Sequence, residues 1–144
     1  MKVSEAMTRD VRVASPEETV QKAAQTMADL DAGILPVGEE DHLIGMITDR
    51  DIAIRGIAKG KGPDAKVRDV MTAEVKYCFD DQEIEEVTRN MADIQVRRLP
   101  VLNRDKRLVG ILSLGDIAIS RDSKDAGEAL QGISRHGGEH TQTG

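Results

Sequence analysis

Aromatic side chains are almost absent from this sequence, which has no tryptophan, one tyrosine and one phenylalanine among its 144 residues. A hydrophobic core must therefore be built from valine, isoleucine, leucine, methionine and alanine. The single cysteine, Cys78, excludes an internal disulfide and cannot form a metal cluster by itself. No apolar run reaches the length of a membrane span, and the N-terminus lacks the pattern of a signal peptide. We therefore expect a soluble, cytoplasmic protein without a membrane partner.

Basic side chains are outnumbered by acidic ones, which gives a formal net charge of −6. This balance disfavours broad electrostatic attraction to nucleic acid or to anionic membranes. The three histidines, His42, His136 and His140, are not spaced with other ligands as a metal site requires. The sequence also lacks a recognisable nucleophile with its base, and it lacks a glycine-rich phosphate loop. We predict neither a metal site nor an enzyme.

An internal repeat organises the chain. Three pairs of segments match at an offset of 64 residues: 3–8 with 67–72, 27–30 with 91–94, and 35–37 with 99–101. A fourth pair, 45–51 and 110–116, matches at an offset of 65. Two copies are too few for a solenoid, so the repeat predicts two similar lobes.

Each copy is predicted to run strand, helix, strand, strand, helix. The strands are predicted at 11–14, 34–37 and 43–47 in the first copy, and at 75–79, 98–102 and 108–112 in the second. In the first copy Ser15 and Pro16 are expected to open one helix, and the other is predicted at 49–58. A small sheet with two helices on one face leaves its other face uncovered, so we expect the lobes to pack face to face around a cleft. Beyond residue 123 we expect a polar, partly disordered tail with a marginal helix near 126–133.

The fourth pair of matched segments places a hydroxyl and a carboxylate three residues apart, as Thr48 with Asp51 and as Ser113 with Asp116. Both pairs fall in the first turn of a predicted helix, where residues three apart share a face. Exposed N–H groups at a helix start suit an anion such as phosphate, and a carboxylate accepts hydrogen bonds from sugar hydroxyls. The alternative is purely structural: the hydroxyls cap the helices, and the aspartates are solvated carboxylates stabilised by the helix dipole.

These motifs together resemble the CBS domain, here as a tandem pair or Bateman module. The resemblance covers residues 1 to about 122 and rests on three motifs that each occur twice, in the same order: Met7-Thr8 with Met71-Thr72, Leu35-Pro36-Val37 with Leu99-Pro100-Val101, and the two glycine-to-aspartate stretches at 45–51 and 110–116. The chain is also similar to stand-alone CBS-pair proteins, which include the hypoxic response protein group. The resemblance implies an α+β fold of two CBS motifs, 1–62 and 63–122, followed by the tail 123–144. Each motif would be a small three-stranded sheet with two helices, and the two would pack with pseudo-twofold symmetry.

The resemblance further implies a regulatory module that binds an adenosine-containing ligand in the inter-motif clefts and signals to a partner protein. AMP, ADP or ATP is expected as a regulatory ligand, and NAD or S-adenosylmethionine less often; no cofactor is required. By position, Asp51 and Asp116 would bond the ribose, and Thr48 and Ser113 would bond phosphate or ribose. The adenine would be flanked by Ile34, Leu35, Pro36, Leu99 and Pro100, and the phosphate would be bound by Arg97 and Arg98, for which the first copy has Gly33 and Ile34.

Two other functions stay open at this point. The chain could be a ligand-free, dimeric protein-interaction scaffold, with Arg97 and Arg98 serving only to keep a strand edge soluble. A nucleic-acid binder is disfavoured by the acidic balance and by the near absence of aromatic side chains. A homodimer is expected, because the resemblance implies one and exposed apolar helix faces need cover. The candidates for that cover are Ile52, Ile54, Ile57, Ile117 and Ile119.

Overall fold

The computed structural model describes residues 1–120, 127 and 130–133 of the chain. It has an α+β fold with small sheets, as predicted, and it divides into two compact units. The first-repeat unit is Arg12–Val75, and the second-repeat unit joins Met1–Val11 to the described residues from Lys76 onward. We call the matched segments 3–8 and 67–72 the entry segments. The second-repeat unit contains the entry segment 3–8 and the first-repeat unit contains 67–72, so each unit holds the entry segment that precedes the other repeat in sequence. The bounds 1–62 and 63–122 stay a prediction about the sequence duplication.

The first-repeat unit is built around an antiparallel hairpin. Its elements are α2 (Val20–Leu30), β1 (Ile34–Glu39), β2 (His42–Thr48), α3 (Asp49–Asp51), a π-helical turn (Ile52–Gly56) and the 3-10 turns Ile57–Lys59 and Val67–Asp69. The predicted strands 34–37 and 43–47 are confirmed and are longer than expected. The strand predicted at 11–14 is reduced to one bridging residue, Ala14, which pairs in parallel with Val37. This sheet thus has two strands and a bridge instead of three strands.

Helix α2 begins later than the sequence suggested. Its N-cap is Thr19, whose side chain accepts from the Lys22 N–H at 3.1 Å, and the predicted opening at Ser15 and Pro16 is wrong. The 65–68 segment explains the difference, because it takes the backbone groups that an earlier helical turn would need. The Pro16 carbonyl accepts from the Arg68 N–H at 3.0 Å, and the Val20 N–H donates to the Ala65 carbonyl at 2.8 Å.

The second-repeat unit has a three-stranded sheet in the order β3-β4-β5. Its elements are α1 (Val3–Ala6), β3 (Cys78–Phe79), α4 (Ile84–Ile94), β4 (Arg98–Leu102), β5 (Leu108–Ser113) and α5 (Leu114–Ser120). Strand β3 runs parallel to β4, and β5 runs antiparallel to it. The predicted strands 98–102 and 108–112 are confirmed, whereas the one predicted at 75–79 forms a ladder only at its end.

Each unit has its own core, and both cores are aliphatic as the composition required. The first-repeat core is formed by Ala14, Val20, Ala23, Met27, Leu35, Val37, Ile47, Val67 and Val70. The second-repeat core is formed by Val3, Met7, Cys78, Ile84, Val87, Met91, Val96, Leu99, Val101, Leu112 and Ile117. Ile117 is fully buried, so its predicted place on an exposed dimer face is wrong. It points into the second-repeat core from α5.

The threonine of each Met-Thr pair forms an isolated antiparallel bridge with the second strand of a hairpin. Thr72 exchanges backbone hydrogen bonds with Met46 at 2.8 and 2.9 Å, and Thr8 exchanges them with Ile111 at 2.9 Å each. A glycine lies directly next to each bridge. A Cβ on Gly45 would come within 2.8 Å of the Thr72 carbonyl oxygen, and one on Gly110 within 2.7 Å of the Thr8 carbonyl oxygen. The glycine that opens each glycine-to-aspartate stretch is therefore explained by the close approach of the entry segment.

The C-terminal part of the chain is described at residue 127 and at residues 130–133, which are helical and fall within the helix predicted near 126–133. Ile133 is buried, and the carbonyl of Gly132 accepts from the Gln95 side-chain amide at 2.8 Å. The other residues of the predicted tail lie outside the described residues.

Candidate functional site

The hydroxyl–aspartate pair of the first repeat lies where β2 passes into α3. The Thr48 hydroxyl accepts from the Asp51 N–H at 2.9 Å, and the Asp51 carboxylate accepts from the Thr48 N–H at 3.1 Å through Oδ2. This reciprocal capping box satisfies two backbone donors at the helix start. It also fixes the Asp51 carboxylate, whose second oxygen, Oδ1, is not used by the cap.

The second repeat forms the same pair where β5 passes into α5. The Ser113 hydroxyl accepts from the Asp116 N–H at 3.1 Å, and Asp116 Oδ2 accepts from the Ser113 N–H at 3.1 Å. The capping role that the sequence allowed for Thr48 and Ser113 is thus present in both repeats. It leaves one oxygen of each aspartate available for a further donor.

The two aspartates differ in the side chain that meets this remaining oxygen. In the second repeat the Thr8 hydroxyl donates to Asp116 Oδ1 at 3.2 Å. In the first repeat Oδ1 of Asp51 lies 3.8 Å from Nε of Arg55, one helical turn further along the chain. The Arg55 guanidinium also donates through Nη1 to the Met71 carbonyl at 3.2 Å. Each aspartate is therefore linked to an entry segment, by a neutral hydroxyl in one repeat and through a cation in the other.

Neither Thr8 nor Arg55 was among the predicted site residues. Arg55 could have been found, because an arginine four residues after an aspartate on a helix is a favourable ion-pair spacing. Thr8 had no such signal, since its contact spans 108 positions of sequence and depends on the pairing of the entry segment with β5.

The strand residues predicted beside the adenine come next to the capping pairs through the hairpin register. Ile34 lies opposite Thr48 in the first repeat, and Leu99 lies opposite Leu112 in the second. All five residues of this predicted set are buried: Ile34, Leu35, Pro36, Leu99 and Pro100. Leu35 belongs to the first-repeat core and Leu99 to the second-repeat core.

The two predicted phosphate-binding arginines flank the start of β4. Arg98 is half-buried and pairs in register with Ser113, which places both on one face of the sheet. Arg97 is exposed, and its carbonyl accepts from the Leu114 N–H at 3.1 Å. In the first repeat the carbonyl of Gly33 makes the equivalent bond to the Asp49 N–H at 2.9 Å, without a charged side chain.

Cys78, the one thiol of the sequence, is set aside from these sites. It is buried on β3, and burial, followed by the charge of Asp80, raises the pKa of its thiol to about 12. A thiol with such a pKa is not a nucleophile at neutral pH. Within residues 1–120, 127 and 130–133, no three histidine, cysteine, aspartate or glutamate side chains are grouped to hold a metal ion. His136 and His140 lie outside that range.

No helix among the described residues is long and apolar enough to cross a membrane.

Large apolar side chains are exposed after both capping pairs. Ile54 and Ile57 are 50% and 64% exposed, and Ile119 is 87% exposed. Ile52, the other residue predicted for a dimer face, is partly buried against the first-repeat core.

The profile of the CBS domain matches this chain twice, at residues 3–55 and 67–122. The chain belongs to the CBS domain family. The two matches make it a CBS-domain pair, and both capping pairs fall within them. The α+β architecture and the repeat predicted from the sequence are those of this family.

Relatives and solved structures extend this comparison. The CBS domain-containing protein YhcV of Bacillus subtilis is 41% identical over 133 residues, which cover 92% of this chain and 94% of that protein. A crystal structure of Hypoxic Response Protein I with two coordinated zinc ions has a TM-score of 0.75 and 38% identity, covering 83% of this chain and 98% of that one. The CBS-domain pair of protein MJ0100, solved in complex with 5′-methylthioadenosine and S-adenosyl-L-methionine, has a TM-score of 0.75 and 25% identity, covering 86% and 98%. The resemblance to stand-alone CBS-pair proteins is thus confirmed.

Proposed function

We propose that this CBS-domain pair is a cytoplasmic regulatory module, not an enzyme, which binds an adenosine-containing ligand and passes the signal to a partner protein. AMP, ADP or ATP is the expected ligand, with NAD or S-adenosylmethionine as less favoured members of the same class. The observation that carries the proposal is the pair of fixed carboxylates. Asp51 and Asp116 are each held by a reciprocal cap through Oδ2. Oδ1 lies outside the cap and, beside its contact with Arg55 or Thr8, has a further lone pair that can accept from a sugar hydroxyl.

The structure of the MJ0100 pair supports the chemical class of the ligand, because it contains two adenosine compounds in a CBS-domain pair at 25% identity. In this chain the ribose hydroxyls would donate to Asp51 or Asp116, and the hydroxyls of Thr48 and Ser113 would add bonds to ribose or phosphate. The buried residues of β1 and β4 would contact the adenine, and Arg97 and Arg98 would meet the phosphate in the second repeat. A carboxylate held by its neighbours before the ligand arrives loses little conformational entropy on binding.

Isothermal titration calorimetry of ligand-free protein with AMP, ATP, NAD and S-adenosylmethionine tests the proposal. We expect at least one to bind, and we expect the double variant Asp51→Asn, Asp116→Asn to bind it about tenfold to a hundredfold more weakly, the range for losing a hydrogen bond to a charged group. Asparagine keeps an oxygen for the cap, so the helix starts are preserved. Asp29→Asn, on the exposed face of α2, is the matched control and should bind as the wild type does.

Two results would contradict this proposal. One is the absence of both heat and a thermal shift with all four compounds, which would favour the scaffold function instead. The other is unchanged affinity in the double variant, which would place the ligand elsewhere.

We also propose a homodimer, supported by the exposed Ile54, Ile57 and Ile119. Light scattering should then give twice the chain mass of 15.7 kDa.

A further inference from the structure

The Arg55 side chain is a cation placed beside the carboxylate of the first repeat. Its Nε lies 3.8 Å from Asp51 Oδ1, which is an ion pair but too long for a hydrogen bond. Its Nη1 donates to the Met71 carbonyl at 3.2 Å, and the side chain remains 53% exposed. Of the five N–H donors of a guanidinium, only one is used within the part of the chain that the structure describes. The Arg55 side chain therefore has donors to offer to an anion next to Asp51.

Among the described residues of the second repeat, α5 (Leu114–Ser120) carries no equivalent cation. The position that matches Arg55 at the offset of 65 is Ser120, whose hydroxyl donates to the Ile117 carbonyl at 2.8 Å. The basic residues of the second repeat are Arg97 and Arg98, which lie directly before β4 and at its first position. The first repeat has Gly33 and Ile34 at these positions. The two repeats thus provide guanidinium groups from different elements.

We propose that Arg55 is a specificity-determining residue that makes the first repeat select adenosine ligands carrying a phosphate over the uncharged nucleoside. The inference rests on the proposed function, because it assigns the ligand's charged group at the same site. It gives the first repeat a cation of its own, since Gly33 and Ile34 take the places of Arg97 and Arg98 there.

The electrostatic reason is the balance of charge at Asp51. An aspartate that accepts from a ribose also repels a phosphate attached to that ribose, at separations where the Coulomb energy is not fully screened. A guanidinium 3.8 Å from the carboxylate offsets this repulsion, and its planar array of donors fits phosphate oxygens. An uncharged nucleoside gains nothing from the second effect. Arg55 should therefore change the preference for AMP over adenosine and leave adenosine affinity nearly unchanged.

The test compares AMP with adenosine by calorimetry in the Asp116→Asn background, where the first site alone keeps its carboxylate. Arg55→Gln should weaken AMP binding about tenfold, the lower end for loss of a charge-assisted hydrogen bond at a half-exposed side chain. It should change the affinity for adenosine by less than about twofold. Arg55→Lys keeps the charge and should lose less than Arg55→Gln. Arg50→Gln removes the same charge from an exposed position on the same helix and is the matched control. Raising the salt concentration should lower the AMP preference of the Asp116→Asn protein and have little effect in Arg55→Gln.

The outcomes separate this inference from the function on which it rests. Should the Asp116→Asn protein bind neither compound, the proposed site in the first repeat is wrong, and the role of Arg55 is wrong with it. Should it bind both, and Arg55→Gln weaken AMP and adenosine by the same factor, Arg55 serves only to hold the helix to the Met71 carbonyl. That second result would overturn the inference while the adenosine site stands, and so would an equal effect of Arg50→Gln.

Discussion

Replacing Gly110 by alanine tests how the entry segment is packed over the second-repeat sheet. A Cβ at this position would lie 2.7 Å from the Thr8 carbonyl oxygen and 2.8 Å from the Met7 sulfur. The sulfur belongs to a flexible side chain, but the oxygen belongs to backbone that is hydrogen-bonded to Ile111 in both directions at 2.9 Å. The entry segment must therefore move away from β5, and the Thr8 hydroxyl must move with it from Asp116.

The cost in unfolding free energy follows from these contacts. Overpacking of this kind costs about 1–3 kcal/mol, and weakening two backbone hydrogen bonds adds about 1 kcal/mol. Alanine restricts the unfolded chain and returns about 0.4–1 kcal/mol. We expect Gly110→Ala to lose about 2 kcal/mol, which for a chain of this size lowers the unfolding temperature by about 6–8 °C.

Thermal unfolding followed by circular dichroism measures this shift. Gly62→Ala is the matched control, because a Cβ there would have no atom within 4 Å and its φ is not positive. It should unfold at the wild-type temperature or slightly above. The packing described for the entry segment is refuted if Gly110→Ala unfolds within about 1 °C of Gly62→Ala, a difference too small for a displaced backbone.

Two further predictions concern titratable groups. Arg104 donates to the Asp81 carboxylate at 2.8 Å through both Nε and Nη2 and lowers the pKa of Asp81 below its usual 3.8. The ionised form therefore stabilises the fold above that pH, and the gain is lost as the pH falls through the lowered pKa. Asp81→Asn should lower the unfolding temperature at neutral pH, and the difference from wild type should shrink as the pH falls through the lowered pKa; a constant difference would contradict the pairing. Because the pKa of the Cys78 thiol is raised to about 12, Ellman's reagent should not label it at pH 8 in the native protein and should label it fully in urea. Rapid labelling of the native protein would show that the thiol is accessible.

The sequence was sufficient for the hairpins, because short apolar runs separated by polar turn residues are typical of buried strands. The strand predicted at 98–102 is confirmed with these bounds, and the strand predicted at 34–37 is confirmed and extends to Glu39. Local signals failed where another segment supplied the backbone partners. Ser15 and Pro16 have the residue types of a helix start, yet the Pro16 carbonyl accepts from Arg68, so the helix begins at Val20.

At the candidate site, sequence patterns identified the capping pairs but not the groups that surround them. Thr48 with Asp51 is a local motif of four residues, and its capping geometry follows from that spacing. Thr8 reaches Asp116 only because the entry segment of one repeat completes the compact unit of the other. A pattern read along the chain contains the first kind of contact and omits the second.

The two repeats keep the same capping pair and differ in where a cationic side chain stands near the carboxylate. On the helix, Arg55 of the first repeat corresponds to Ser120 of the second. Directly before the strand, Gly33 of the first repeat corresponds to Arg97 of the second. A cationic side chain thus accompanies each repeat, although neither of these two positions is basic in both. If both repeats bind ligands of one chemical class, the difference in how the cation is presented should give them unequal affinities, because Arg55 is bound to the Met71 carbonyl whereas the Arg97 side chain extends into solvent. Titration of the single variants Asp51→Asn and Asp116→Asn with AMP should therefore give two different dissociation constants, and equal constants would show that the placement of the cation does not matter.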